Sequence, residues 1–145
     1  MGNPDIRIIE FIRKHHVLTL ATSSDEQPWC ANCFYAFMED EVALIFTSDE
    51  ETRHICEAGK NTKVAGSIVL ETEIIGKIQG IQFAGKIFKA ESEARYKKRY
   101  LQRFPYAILT NSPLWAVELD YIKFTDNLLG FGKKLIWSRE SDITK

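Results

Sequence analysis

Long hydrophobic runs, internal repeats, low-complexity segments and a basic leader are all missing from this 145-residue chain. No stretch approaches the ~18 apolar residues of a membrane span, and Met1-Gly2-Asn3-Pro4-Asp5 has neither the basic start nor the apolar run of a signal peptide. The expectation is a cytoplasmic protein with no membrane partner. Gly2 does not make a myristoylation site, because Ile6 stands where that motif takes Ser or Thr. Charge of one sign is scarce too: 19 Lys and Arg against 20 Asp and Glu leave a net charge of −1, which gives no overall attraction to nucleic acid or anionic lipid. Cysteines number only 3, an odd count without an export signal, which points to reduced thiols. Cys30 and Cys33, three positions apart on a strand, point to opposite faces. No Cys/His set has zinc-ligand spacing, since His15 and His16 are adjacent and His54 and Cys56 diverge on a helix. No metal is expected.

What is present is an ordinary globular composition, 45% hydrophobic and 12% aromatic, which excludes a disordered or collagen-like chain. The length suits one domain over residues 1–145, large enough to bury roughly 68–70% of the unfolded surface. Asn3-Pro4-Asp5 predicts a helix over about 4–14, with Asn3 as N-cap and Pro4 at the first helical position. Ile8, Ile9 and Ile12 give its apolar stripe, and Arg13-Lys14 suit its negative end. Val17 to Thr22 and Trp29 to Phe37 read as strands of a hairpin around the turn cluster Ser24-Asp25-Glu26-Gln27-Pro28. On the second strand Cys30, Asn32 and Phe34 share one face, and Ala31, Cys33, Tyr35 and Phe37 the other. Asn32 is the polar exception in this apolar strand. Its amide needs partners, from neighbouring backbone or from a ligand across the sheet.

The third strand, Val42 to Thr47, runs into Ser48-Asp49-Glu50-Glu51-Thr52-Arg53-His54 and a short helix from about Glu51 to Ala58, with Gly59 as its left-handed stop. A helix N-terminus offers unpaired N–H groups and partial positive charge, and here it has hydroxyls before it and Arg53 in its first turn. The junction suits an anion; it equally suits capping by Ser48 or Asp49, and local chemistry favours the cap.

Val64 to Leu70 is a further strand. From Ile74 to Ala90 the alternation carries Gly76, Gly80 and Gly85, as expected of a curved, bulged sheet that closes a barrel. Gln82 shares a face with Gly80 and Ala84, which marks either a barrel corner or room for a planar ring. Ser92 to Arg103 is a basic helix whose charges read as a solvated face rather than a nucleic-acid site. Leu114 to Leu119 and Ile122 to Phe124 are strands, and the glycines Gly130 and Gly132 form no dinucleotide fingerprint. Lys133 and Lys134 could reach an anion or keep an edge strand soluble. Residues 140–145 are expected to fray. The element order predicts a mainly β (α+β) fold, an antiparallel split β-barrel with flanking helices.

Trp29-Cys30-Ala31-Asn32 with Phe34-Tyr35, Thr52-Arg53-His54, Val64-Ala65-Gly66, Gly80-Ile81-Gln82-Phe83 with Gly85, Arg103-Phe104-Pro105, and Ile122 to Asn127 continuing through Gly130 to Lys134 carry a resemblance over nearly the whole chain. The sequence resembles the FMN-binding split-barrel superfamily of pyridoxamine 5′-phosphate oxidase-like proteins, most closely its bacterial YhbP-like family. The resemblance implies a homodimer with flavin sites at the subunit interface and FMN as cofactor. It places the FMN phosphate at Thr47, Ser48, Thr52 and Arg53, and so reverses the local preference for a cap. It lays the isoalloxazine near Asn32, Cys33 and Phe34 with Gln82 at its polar edge, and brings the Lys133-to-Trp137 strand from the partner subunit. Asp49-Glu50-Glu51 replace the oxidases' denser basic cluster, and their C-terminal arginine segment has no counterpart, so their substrate does not carry over. The implied function is FMN binding, with oxidoreductase chemistry on an unknown substrate. The alternative is a non-catalytic flavin or planar-anion module, a sensor or carrier. No catalytic acid or base is assigned, and no nucleic-acid partner is expected.

Overall fold

A computed structural model describes residues 2–90, 92, 94–131 and 133–140. Helix α1 (Ile6–Lys14) is followed by β1 (Val17–Ser24), β2 (Gln27–Phe34), β3 (Ala36–Met38) and β4 (Ala43–Thr47), then α2 (Arg53–Lys60), β5 (Lys63–Val69) and β6 (Gln79–Lys89). Helix α3 (Ala94–Arg103), β7 (Leu114–Asp126) and β8 (Lys134–Ser138) complete the chain. Short 3₁₀ turns occupy Ile75–Lys77, Pro105–Leu109 and Asn127–Leu129. Among the described residues no helix is long and apolar enough to cross a membrane, and no group of three or more His, Cys, Asp or Glu could hold a metal ion.

Every strand pairing is antiparallel, in the order β2-β1-β5-β6-β7-β4-β3, with β8 also on β7. The fold is an antiparallel split barrel. Its division comes from β7, whose 13 residues exceed the reach of either partner on one edge: β4 takes Leu114 to Glu118 and β8 takes Tyr121 to Thr125. One face of the sheet closes on a core that includes Leu18, Leu20, Tyr35, Phe46, Ile68, Ile81, Phe83 and Phe124, with α1 supplying Ile8, Phe11 and Ile12. Helix α3 lays Tyr96 and Tyr100 over the other side of β3 and β4, against Ala36, Ala43 and Ile45. Nothing described covers the same side of β1, β5 and β6. At the centre of that face the outward side chains are Thr19, Ala21, Ala65, Ser67, Gln82 and Ala84, short apart from Gln82, with Val17, Lys63, Val69, Lys86 and Phe88 toward the strand ends.

Several expected boundaries shift for physical reasons. Asp5, not Asn3, caps α1: its carboxylate accepts the Arg7 N–H at 2.9 Å, so the helix starts at Ile6. The strand expected through Phe37 breaks at Tyr35, whose hydroxyl donates to the Ile12 carbonyl at 2.7 Å and ties the break to α1. The β1–β2 turn places both Asp25 and Glu26 at positive φ, 52° and 63°, the backbone of a two-residue hairpin with strand-matching twist. Gly59 is no stop signal. Helix α2 continues to Lys60, and Asn61 closes it with its N–H on the Glu57 carbonyl. The two strands expected around Asp120 are one, β7, and the irregularity lies between Ala84 and Gly85, where β6 slips register against it. The expectation of a frayed tail falls, from residue 141 on, outside the described residues.

Gly66 and Gly85 are required by close approach. A Cβ at Gly66 would lie 2.2 Å from the Thr19 carbonyl oxygen and 2.3 Å from the Phe83 ring, whereas one at Gly59 would meet nothing within 4 Å. Gly66→Ala is expected to lower the unfolding free energy by an overpacking cost of about 1–3 kcal/mol, and the urea midpoint with it. Gly59→Ala, in an exposed helical turn, is expected to raise stability by about 0.5–1 kcal/mol; the two denaturation curves check the pair.

Candidate functional site

The β4–α2 junction is built by an apolar strand running out of core positions. Phe46 is the last inward side chain of β4; Thr47 then turns to the α3 side, where its hydroxyl lies 3.4 Å from that of Tyr100. Ser48 turns the other way. Its Oγ is 2.9 Å from His54 Nε2 and within hydrogen-bonding reach of the Cys33 thiol. The chain then turns through residues 49–52, with both the N–H and the hydroxyl of Thr52 donating to the Asp49 carbonyl, and α2 begins at Arg53. Capping by Ser48 or Asp49 is therefore ruled out. Thr52 holds the N-cap position, and no side-chain hydrogen bond caps the helix.

Arg53 is held on two sides. Its Nε donates to Glu57 Oε2 at 2.8 Å, one turn along α2, and its guanidinium carbon sits 4.0 Å over the Trp29 ring. Glu57 is nearly buried and also accepts the Thr22 hydroxyl at 2.8 Å. Arg53 and then Thr22 hold the Glu57 carboxyl below its ordinary value. The Nε–H of Arg53 is consumed and its plane fixed, while the side chain stays 49% exposed, leaving the terminal Nη groups for a planar or tetrahedral anion. The acidic loop turns elsewhere: Asp49 accepts the Ser112 hydroxyl at 2.7 Å and Glu50 pairs with Lys89.

The residues expected around a ring divide between two faces of β2. Asn32 and Phe34 point outward; Cys33 points into the core at 7% exposure, and burial pushes its thiol up to about 11. Cys33 thus shares no face with its two neighbours. Asn32 accepts the Thr19 hydroxyl at 2.7 Å, so its partner is a cross-strand side chain, and its NH₂ stays free for another acceptor. Strand register continues the row: Asn32 opposite Thr19, Thr19 opposite Ser67, Ser67 opposite Gln82, Gln82 opposite Lys123. Gln82 is three strands from Asn32, roughly 14 Å at ordinary strand spacing. Phe34 is exposed, stacked at 6.0 Å on His16 and tilted at 5.9 Å against Phe104.

Lys133 is exposed immediately before β8. Trp137 is not available to a neighbouring subunit: it belongs to the core, and its indole N–H donates to the Gly2 carbonyl at 2.8 Å. The structure therefore joins Ser48, Thr52 and Arg53 with Trp29, His54 and Glu57. It sets Asn32, Phe34 and Gln82 on one open face, places Cys33 behind them in the core beside Ser48, and separates Thr47 and Trp137 from both groups. Glu57 was accessible to sequence reading as a carboxylate four positions after Arg53. Trp29, Thr22 and the row Thr19–Ser67–Lys123 carry no local signal and required the sheet register.

Comparison with known proteins gives a close relative and distant folds. The chain is 44% identical over 133 residues to a UPF0306 protein of Klebsiella pneumoniae, covering 90% of both. No family model matches. In three dimensions the chain is similar to a heme binding protein from Mycobacterium smegmatis, at TM-score 0.74 and 15% identity over 95% of this chain and 60% of that one. This chain thus spans about three-fifths of that neighbour's length. It is also similar to a FAD-binding protein from Mesorhizobium loti, at TM-score 0.69 and 11% identity over 82% of this chain and 91% of that one. These likenesses are of fold.

Thiol chemistry checks the placement of the cysteines. Cys30 and Cys56 are exposed and Cys33 is buried with a raised pKa, so a disulfide reagent at neutral pH should modify two thiols quickly and the third only on unfolding. Three equally fast reactions would contradict an inward Cys33.

Proposed function

We propose that this chain, which belongs to the UPF0306 family, is a cofactor-binding protein of the flavin type whose cofactor is FMN and whose phosphate anchor is Arg53. The carrying observation is the clamp: Glu57 takes the Arg53 Nε–H and Trp29 supports the guanidinium face, which orients the remaining donors at little entropic cost. The uncapped first turn of α2 adds N–H donors beside it. Because Asp49 and Glu50 are engaged with Ser112 and Lys89, two of the three acidic side chains of that loop are turned from the anchor.

The residues present fit the rest of the cofactor. Asn32 and Phe34 lie on the outward face of β2, which closes one end of the strand order. Trp29, three positions and roughly 10 Å from Asn32, is on its opposite face with Arg53, so the two meet one ligand only around the free edge of that strand. The free Asn32 NH₂ offers a donor to a ring carbonyl, and Phe34 and the short outward side chains of β1 and β5 leave a flat floor beside it. Gln82 lies too far along the row to share that ring with Asn32 in one subunit. When bound, FMN supplies one- and two-electron chemistry; Arg53 binds, Asn32 orients, and Ser48 with His54 lines the approach. His54 stays neutral near pH 7 because burial lowers its pKa. Oxidoreductase activity on an unidentified substrate is the reading we favour, with a flavin carrier or sensor as the second. The M. smegmatis and M. loti neighbours, by their names heme- and FAD-binding, support a cofactor of this size class on this fold.

A homodimer is part of the proposal. The outward face of β1, β5 and β6 carries Ala21, Ala65 and Ala84 between exposed Val17, Phe34 and Val69, an apolar surface suited to a second copy of itself. Sedimentation should give a dimer, and Ala84→Glu should give a monomer that retains the wild-type circular dichroism; an Ala84→Glu dimer would place the interface elsewhere.

Visible absorption of the purified protein and titration with FMN test the cofactor. Arg53→Ala is expected to weaken FMN binding by about 1.5–3 kcal/mol, roughly 10- to 150-fold, and Glu57→Gln by less. A colourless protein that binds no added FMN overturns the reading, as does equal affinity of wild type and Arg53→Ala. A haem spectrum would retain a cofactor-binding protein and remove FMN. Bleaching of the bound flavin by reduced nicotinamide separates the oxidoreductase from the carrier.

A further inference from the structure

On the opposite side of β4 from Arg53, the turn after α3 folds back and leaves a cleft of about 230 Å³. Thr47 forms its floor, Tyr100 and Lys97 stand on the α3 wall, Asn111 lies on the facing loop, and Leu101 and Leu114 supply apolar surface. Its size decides what it could take. It is smaller than the 300–1,000 Å³ of sites for drug-sized ligands, so neither a flavin nor a nucleotide fits, while a single-ring or short-chain molecule does.

The Tyr100 hydroxyl, which also meets the Thr47 backbone, keeps capacity for a further partner. Tyr100 is 95% buried by its 5% exposure, yet its hydroxyl meets the Thr47 hydroxyl at 3.4 Å, beyond the 2.5–3.0 Å of a good O–H···O bond. One oxygen seated in the cleft at about 2.8 Å from each would bridge both from the side. Along α3 the arginines are committed: Arg95 pairs with Glu41 at 2.7 Å, Arg99 donates to the Phe37 carbonyl at 2.9 Å and Arg103 to that of His15 at 2.6 Å, and Lys98 lies outside the cleft. Lys97 makes no ion pair among the described residues and, one turn from Tyr100, lines the same cleft. Ser112, on the rim, is turned to Asp49 at 2.7 Å, so that carboxylate has a partner already. A short apolar wall, two long-separated hydroxyls and one uncommitted ammonium make a site for a small amphiphilic anion.

We propose that this cleft binds a small organic monoanion, a single-ring or short-chain carboxylate, with Lys97 taking the charge and Tyr100 and Thr47 the oxygen. The site is separate from the Arg53 anchor and does not depend on FMN. Benzoate and its neutral counterpart benzamide are the probes, read by amide resonance shifts of the whole protein. Benzoate should shift residues 47, 97, 100 and 111 saturably, and benzamide should bind at least tenfold more weakly. Lys97→Gln should weaken benzoate at least tenfold, Tyr100→Phe severalfold, and Lys98→Gln, its neighbour outside the cleft, not at all. Arg53→Ala, which tests the FMN reading, should leave benzoate binding unchanged.

Absence of saturable shifts up to about 10 mM benzoate, weaker than any useful affinity on the millimolar scale, would overturn the proposal. Equal affinity for the two probes, or equal loss in Lys97→Gln and Lys98→Gln, would also overturn it, by reducing the effect to hydrophobic or general charge attraction. Loss of benzoate binding in Arg53→Ala would overturn the separateness of the cleft. Should Lys97→Gln fail to fold, Lys97→Arg, which keeps the charge, should bind benzoate within a fewfold of wild type, and a tenfold loss there with an intact spectrum would count against the cleft as a fixed site.

Discussion

The constraint on which the rest of this fold depends is the demand placed on one strand. β7 pairs with β6 along one edge through nearly its whole length, and on the other edge it must satisfy β4 first and β8 afterwards. Backbone donors and acceptors left unpaired in a buried sheet are costly, so the sheet accepts both partners and opens between them. β6 follows the bend through the slip at Ala84/Gly85. Gly85 permits this because a Cβ there would lie 2.2 Å from the Glu118 carbonyl oxygen. The two halves of the sheet then face different neighbours. α3 covers β3 and β4, and the outward face of β1, β5 and β6 stays open.

That division creates two distinct surfaces on either side of β4, the two proposed as sites. Successive residues of a strand point to opposite faces, so Thr47 and Ser48 cannot serve one site. Thr47 goes to Tyr100 and the α3 cleft; Ser48 goes to His54 and the Arg53 side. The Arg53 clamp adds little to stability as a half-exposed ion pair. Its effect is orientation: Trp29 comes from β2, Thr22 from β1 and Glu57 from α2, and together they fix a long side chain that would otherwise sample many rotamers.

Much of the fold was legible because its signals are local. The hydrophobic alternation of β1 and β6, the continuous apolar run of β4, the turn residues at Asp25-Glu26 and the basic last turn of α1 each act within a few positions, and the expected elements are present. Boundaries were less legible where two local signals compete. Asn3 and Asp5 are both acceptable caps, and Asp5 wins because its carboxylate reaches the Arg7 N–H while Arg7 also returns an ion pair to it at 2.9 Å. Gly59 carries the composition of a helix stop, but α2 runs on because the next turn can still close on Glu57. For the candidate site, Arg53, Ser48 and Thr52 were legible from the strand-to-helix junction. Cys33 could be set opposite Asn32 from strand period alone, whereas the burial of Trp137 could not be read, since its partner is the Gly2 carbonyl at the far end of the chain.

The amino-acid sequence by itself determined the kind of elements, their order, the antiparallel barrel class and the presence of a strand-to-helix junction rich in hydroxyls with an arginine in its first turn. Periodicity, turn chemistry and charge count suffice for these because each depends on neighbours within about four positions. Only the tertiary structure decided which side chains meet: Trp29 under Arg53, the row from Asn32 to Lys123, Tyr100 over Thr47 and the diversion of Asp49 and Glu50 to Ser112 and Lys89. These contacts join residues remote along the chain, and their existence depends on strand register and on where β7 divides the sheet, quantities set by the closure of the whole core rather than by any one segment.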